Sequence, residues 1–334
     1  MRATTPGSRG PGPAPPVPLL MLSYILRRLL GVIPVMLVVG VFVFSLLHLA
    51  PGDPAAIIAG DNATAENIAR IRASLGLDRP FLTQFLDWGG GVLRGDLGVS
   101  MFSGLPVSQL ILQRVEATVS LAVSTMFVAV VLAVTLGVLA AWKAGSLLDR
   151  AVMGVAVTGF SVPVFVVGYL LVYFLSMKLR WFPVQGYRPI ADGLWDWARH
   201  LVLPSLALGL AYVALIARIT RTSMLEVMSE DYMRTARAKG VATAPLLLRH
   251  GLKNAAVPIV TVIGIGVALL ISGVVITESV FNIPGIGRLV VDAITRRDYP
   301  IIQGVMIVFA GVYVLINLAV DILYCFIDPR IRYR

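Results

Sequence analysis

The sequence predicts an all-α, polytopic membrane protein with six transmembrane helices and with both chain ends on the inside. Of the 334 residues, 57% are apolar and only 14% are charged, whereas about a quarter of a soluble chain is charged. Six stretches lack Asp, Glu, Lys and Arg over about the length that a helix needs to cross a bilayer. The basic residues are also unevenly divided among the segments that join these stretches.

The elements follow in chain order. Residues 1–20 are rich in Pro and Gly and show no periodicity, which predicts a disordered tail ahead of a domain at 21–334. The candidate spans are residues 29–52, 117–142, 151–177, 201–217, 254–277 and 299–320. The fourth is the shortest, but Trp195 and Trp197 just before it are typical of a membrane interface. In four spans a proline lies inside the span rather than at one of its ends, which predicts a kink in each. These prolines are Pro34, Pro163, Pro204 and Pro258.

Small residues recur at four-residue spacing in three spans. The stripes are Ala133, Gly137 and Ala141; Ser205 and Gly209; and Gly264, Ala268 and Ser272. Such stripes let helix backbones approach closely. They favour packing between helices of one chain, and a seam with a second chain or a pore lining is the alternative.

Orientation accounts for the net charge of +10. With the N-terminus inside, the inner segments contain 16 basic and six acidic residues, whereas the outer segments contain 12 of each. The excess positive charge is then entirely cytoplasmic, as the positive-inside rule requires. Nucleic-acid binding is therefore not needed to explain it.

Motifs for catalysis are missing from the sequence. The single cysteine excludes a disulfide framework and a Cys-rich metal site. No phosphate-binding loop, Gly-x-Ser-x-Gly elbow or His-Glu-x-x-His pair occurs. We therefore expect no enzyme activity and no catalytic, cofactor-binding or metal-binding residues in this chain. His48, Glu278 and Asp321 lie near span ends, where interfacial solvation or one local hydrogen bond would explain them. The shortage of acids at the bilayer midplane argues against an ion-driven carrier.

The long inner loop, residues 218–255, is the most informative segment. Leu225, Met228, Tyr232 and Ala236 recur at helical spacing, which predicts an amphipathic helix over residues 225–238. Gly240 is placed to end this helix, and a second short helix is predicted over 244–252. The residues alone leave two interpretations open. The loop either docks into a groove of a partner protein or lies on the lipid headgroups as a connector.

A family resemblance decides between them. Segment 234–240 (RTARAKG), followed by 247–254 (LLRHGLKN), resembles the "EAA" loop of bacterial ABC-type import permeases. Arg234, Thr235 and Lys253 depart from the broad pattern in the manner of the dipeptide/oligopeptide/nickel branch. Segments 49–54 (LAPGDP), 94–98 (RGDLG) and 278–288 (ESVFNIPGIGR) resemble the first permease subunit of that branch. The resemblance covers roughly residues 21–334.

The resemblance implies a type I ABC importer permease fold in the bacterial cytoplasmic (inner) membrane. It implies a pore-forming subunit for di- or oligopeptides or a related small solute. Its partners would be a second six-helix permease, two ABC ATPases that bind ATP and Mg, and an extracytoplasmic solute-binding protein. Membrane lipid would surround the chain, and nucleic acid would have no role. The alternatives are an ion-gradient-driven secondary carrier and a channel or scaffold without energy coupling.

The resemblance also assigns residues to three roles. Contact with the ATPase falls to Arg234, Thr235, Ala236, Arg237, Ala238, Lys239, Gly240 and Pro245. An outer gate or structural turn falls to Glu278, Pro284, Gly285 and Gly287. The outer loop, residues 51–114, would face the binding protein through Asp53, Asp78, Arg79, Arg94 and Asp96. Internal salt bridges in a small folded lid are the alternative for these charges.

Overall fold

The computed structural model describes residues 17–49, 53, 55–56, 64–74 and 76–327, and these are almost entirely helical. The helices Val164–Leu171 and Thr243–Pro245 continue into π-helical turns, Val172–Lys178 and Leu246–Leu252 respectively. The helices are α1 (Val17–Leu49), α2 (Ala65–Ser74), α3 (Phe81–Leu93), α4 (Val107–Trp142), α5 (Leu147–Ser161), α6 (Val164–Leu171), α7 (Leu194–Ser229), α8 (Asp231–Ala238), α9 (Thr243–Pro245), α10 (Ala256–Val280), α11 (Ile286–Arg296) and α12 (Tyr299–Ile327).

Five of the described helices, α1, α4, α7, α10 and α12, are long and apolar enough to cross a membrane. The third predicted span, residues 151–177, is instead divided between α5 and α6, which meet at a bend of 109°. The break falls at Pro163, and Val162 before it is extended, as a residue preceding proline prefers. Pro34 and Pro204 lie inside continuous helices. Pro258 lies in the first turn of α10, where proline is tolerated.

Several boundaries differ from the predicted ones. The second span was expected to begin at residue 117, but α4 begins at Val107, because its first turns pack against α11 and α12. The fourth, 17-residue span is the centre of the 36-residue α7. The outer loop contains α2 and α3. Helix α1 begins at Val17, within the predicted disordered tail, since Pro18 is acceptable in a first helical turn. Residues 1–16 of that tail lie outside the described residues.

The core is formed by α4 and α7, which pack together along their length with α10 beside them. The predicted small-residue stripes allow this approach. A Cβ atom on Gly137 would lie 2.6 Å from the Cβ of Thr220, and Ser205 of α7 contacts Ser124 at 2.8 Å. Gly264 similarly faces Val320 of α12. These stripe positions therefore serve packing within the chain.

The first and last spans are joined by an ion pair. The Nε atom of Arg28 lies 2.6 Å from Oδ2 of Asp321, and the Asp321 side chain is only 17% exposed. Asp321 thus has a partner almost 300 residues away in the sequence. Phe44 of α1 also packs its ring against Phe81, Phe85 and Trp88 of α3. The N-terminal span is therefore fixed to the bundle at two levels.

Candidate functional site

The inner hairpin, residues 230–254, contains the residues assigned to ATPase contact. Helix α8 ends in two backbone hydrogen bonds, from Gly240 N to Arg237 O (3.0 Å) and from Val241 N to Ala236 O (3.2 Å). This pair of bonds defines a Schellman C-cap, which needs a left-handed residue. Gly240 supplies it with φ of +78°, and no atom would crowd a Cβ there. Gly240 thus ends the helix as predicted, and backbone conformation alone selects glycine.

The predicted helix over residues 225–238 is wrong in one respect. Glu230 is extended (ψ 148°), so the segment is split between the end of α7 and the separate helix α8. Because of this break, the buried position on α8 is one residue later than predicted. Met233 is buried (2% exposed), whereas Tyr232, the expected apolar position, is 43% exposed.

The hairpin rests on a buried apolar floor. Leu247 belongs to a cluster with Val138 of α4, Met224 of α7 and Ile259 of α10. Gly251 lies so close to α7 that an added Cβ would lie 2.8 Å from Cε of Met224. The hairpin is therefore packed against the ends of three long helices, α4, α7 and α10.

The solvent-exposed face of the inner hairpin is basic. Of the eight residues assigned to ATPase contact, seven are exposed and Ala236 is half-buried. Arg234 is 3.4 Å from Asp231 in an exposed pair, which contributes little stability. Arg237 and Lys239 form no ion pair with any described residue. These two cations are free to meet a partner.

The outer turn, residues 278–288, is built around a buried carboxyl group. Glu278, at the end of α10, is 0% exposed. Its Oε1 accepts a hydrogen bond from the hydroxyl of Thr118 (2.6 Å), and its Oε2 accepts one from the Arg288 N–H (2.9 Å). The Thr118 hydroxyl in turn accepts the Ile286 N–H (2.8 Å). Because free N–H groups at a helix N-terminus favour a negative group, Glu278 fixes the start of α11 to α10 and α4.

Two glycines leave room for this carboxyl group. A Cβ on Gly285 would overlap the Glu278 carboxyl atoms, and one on Gly287 would lie 2.6 Å from Cα of Val275. Pro284 lies beside them and is exposed. The sequence indicated a tight turn here, but Thr118 carried no signal, since a threonine in an apolar helix is unremarkable. Glu278 was assigned to an outer gate or structural turn, with interfacial solvation or one local hydrogen bond as the other interpretation; it is buried and accepts hydrogen bonds from Thr118 and Arg288.

The outer-loop charges are partly paired with one another. Asp53 lies 2.5 Å from Arg72, and this hydrogen bond raises the pKa of the Arg72 guanidinium. Arg79 pairs with Asp87 at 3.2 Å. Asp96 accepts the N–H of Gly98. Asp78 and Arg94 are exposed. Asp53 and Arg79 therefore have the internal partners that the alternative interpretation expected.

Two buried polar contacts are not predicted by the sequence. Asp149, at the start of α5, receives Nε and Nη2 of Arg221 from α7 at 2.5 and 2.8 Å. Asp298 is 2% exposed and accepts the Ser100 hydroxyl at 2.6 Å. Each pair joins residues more than 70 positions apart, so spacing in the sequence gives no sign of it.

An apolar groove of about 790 Å³ runs along α4, α10 and α12. Its walls are almost wholly hydrocarbon, with Thr118 as a polar residue at its outer end. Among the described residues, no group of three or more His, Cys, Asp or Glu side chains is arranged to hold a metal ion.

Comparisons with known proteins agree on one family. Residues 133–333 match the family model described as the binding-protein-dependent transport system inner membrane component, and residues 21–122 match the model for the N-terminal part of such membrane components. The chain is 59% identical over 310 residues to a probable peptide ABC transporter permease of Sinorhizobium fredii, covering 93% of this chain and 99% of the relative. It is 48% identical over 314 residues to the glutathione transport system permease GsiC of Salmonella choleraesuis, covering 94% and 100%.

A solved structure shows the same fold. It is the MetNI methionine ABC transporter in an inward-facing conformation, with a TM-score of 0.55 and 17% identity. The match covers 66% of this chain and 97% of the solved one.

Proposed function

The chain belongs to the family of inner-membrane components of binding-protein-dependent transport systems, and from this premise we propose that it lines half of the pore of an ATP-driven importer for peptides. It is a multi-pass protein of the bacterial inner membrane. The observation that carries the proposal is the match of two successive family models over nearly the whole chain. Relatives named for peptide and glutathione transport support a substrate with peptide bonds.

The inner hairpin is the contact for an ATPase subunit. Its exposed face presents Arg237 and Lys239 without internal partners, above a floor shared by three long helices. Met233 and Leu247 are buried against the bundle, whereas Tyr232 and Leu248 are 43% and 59% exposed beside the two cations. This mixed apolar and basic surface suits a groove on a partner protein. ATP and Mg would bind in the partner, and this chain would hydrolyse nothing itself.

The α4–α10–α12 groove is where a second permease subunit would complete the pore. Its surface is apolar and lies on the spanning helices, as an interface within a membrane requires. The binding protein would deliver substrate at the outer loop, where Asp78, Arg94 and Asp96 are exposed and form no ion pair with another described residue. Asp53 and Arg79 would then shape this surface through their partners Arg72 and Asp87.

The second candidate is a carrier driven by an ion gradient. Reconstitution separates the two functions. The chain is co-purified with its partner chains, placed in proteoliposomes, and supplied with binding protein loaded with labelled di- or tripeptide. Uptake that needs ATP and continues after the gradients are dissipated supports the importer. Uptake that follows a proton or sodium gradient without ATP refutes it.

A further inference from the structure

A second groove lies between α5 and α7, beside the ion pair of Asp149 and Arg221. It has a volume of about 600 Å³, within the usual range for ligand sites. Its walls are apolar, with Met153, Ala156 and Val157 from α5 and Ala214 and Leu215 from α7. We call this the α5–α7 groove. It shares no helix with the α4–α10–α12 groove.

The two helices that form this groove are held together at both ends. At the inner end, Asp149 binds Arg221 through two hydrogen bonds. Farther along, Gly159 lies against Leu210 so closely that an added Cβ would lie 2.8 Å from the leucine Cγ. The groove runs beside this fixed seam, so it is a built feature of the bundle.

The inner end of the groove is positively charged. Arg218 and Arg221 both line it. Asp149 neutralises Arg221, whereas Arg218 is exposed and forms no ion pair with any described residue. One uncompensated cation therefore lies where the apolar walls end, on the side of the bundle that carries the basic inner loops.

The combination of hydrocarbon walls with one cation at the membrane surface describes the shape and charge of a phospholipid. The rim of α5 supports this occupant, because Val155 and Val157 are 56% and 69% exposed and face outward. Free phosphate would use Arg218 alone and leave the apolar walls bare. We propose that the α5–α7 groove binds one anionic phospholipid, with its phosphate at Arg218 and an acyl chain along Val157 and Leu215.

The test uses the whole transporter with its partner chains in nanodiscs that contain equal amounts of phosphatidylglycerol and phosphatidylcholine. After mild detergent extraction, native mass spectrometry measures the ratio of the two lipids retained. We expect wild type to retain phosphatidylglycerol preferentially. Arg218→Gln should lower this preference about fivefold, the factor for one basic residue at an anionic surface. Lys143→Gln, which removes an equal charge from the neighbouring inner loop, should leave the preference unchanged.

Two further measurements test whether the apolar walls, and not only Arg218, contribute to lipid binding. Val157→Trp should lower retention of phosphatidylglycerol although Arg218 is intact, because the indole would occupy the apolar wall. Glycerol phosphate, which has the headgroup charge without acyl chains, should not displace the lipid. Equal retention by wild type and Arg218→Gln would overturn the proposal. So would cross-linking of Val157→Cys, in a Cys325→Ser background, to a second protein chain.

Discussion

The outer turn offers the sharpest test of the structural reasoning, through the contact between Glu278 and Gly285. Replacing Gly285 with alanine puts a methyl group into the space of the Glu278 carboxyl group. Overpacking of this kind costs about 1–3 kcal/mol of stability. Replacing Glu278 with alanine leaves the Thr118 hydroxyl and the Arg288 N–H, both partly buried, without their acceptor. A fully buried unsatisfied group costs about 1–3 kcal/mol, so two partly buried ones set an upper bound of roughly 6 kcal/mol for this change.

The double variant distinguishes this geometry from general fragility of the turn. Once Glu278 is alanine, the methyl group at position 285 has free space, so its cost should largely disappear. The two changes should therefore couple by about 1–3 kcal/mol, within the range for contacting residues. Gly287→Ala supplies the matched control, because its Cβ would lie 2.6 Å from Cα of Val275 and only 3.0 Å from Oε2 of Glu278, so the backbone of Val275 sets most of its cost. Most of its cost should remain in the Glu278→Ala background, whereas the cost of Gly285→Ala should largely disappear.

The assay is thermal unfolding of the purified, detergent-solubilised transporter, followed for each single and double variant. Gly154→Ala serves as a second control, since no atom lies within 4 Å of a Cβ there. The contact between Gly285 and Glu278 is refuted if Gly285→Ala lowers the stability equally with and without Glu278, or if Glu278→Ala is as stable as wild type.

Three further predictions concern other sites. Gly240→Val should abolish co-purification of the ATPase while membrane insertion persists, because φ of +78° strains a β-branched residue by about 1–3 kcal/mol; Gly240→Asn should retain the contact, and equal binding by both variants would contradict this. Arg221→Ala should lower the unfolding temperature, since the buried Asp149 carboxyl group keeps, among the described residues, only the Gly145 N–H as a donor. Breaking a fully buried pair costs about 3–5 kcal/mol, which is an upper bound here because Arg221 is 26% exposed. An unchanged transition would show that the pair is unimportant. Ser100→Ala should speed amide hydrogen exchange over residues 99–106 by removing the donor to Asp298, and unaltered exchange there would contradict that role.

Local chemistry explains which parts of the fold the sequence could predict. The C-cap at Gly240 depends on one residue and the turn before it, so it was readable from the chain. The helix break at Glu230 was not, because the segment contains neither glycine nor proline and its periodicity continues through the break. The burial of Met233 in place of Tyr232 follows from that missed break. Apolar length identified the spans, but it placed the start of α4 ten residues late, since the polar first turns of α4 are held by packing against α11 and α12.

The candidate site divides in the same way. The glycines of the outer turn were recognisable as a tight backbone approach, and the structure shows what they approach. The partner of Glu278 could not be inferred, because Thr118 lies 160 residues earlier and only the packing of α4 on α10 brings the two together. The ion pair between Asp149 and Arg221 has the same character. Such contacts depend on the register between helices, which a single sequence does not specify.

Helices α4 and α10 connect the inner hairpin to the outer turn. Helix α4 supplies Val138 to the floor of the inner hairpin and Thr118 to the outer turn. Helix α10 supplies Ile259 to the floor and Glu278 to the turn, which are roughly 29 Å apart at 1.5 Å per residue. Neither helix is broken between these points. A force on the hairpin would therefore move the outer turn as part of the same rigid body, so the Glu278 contact would keep α11 attached to that movement rather than act as a separate switch.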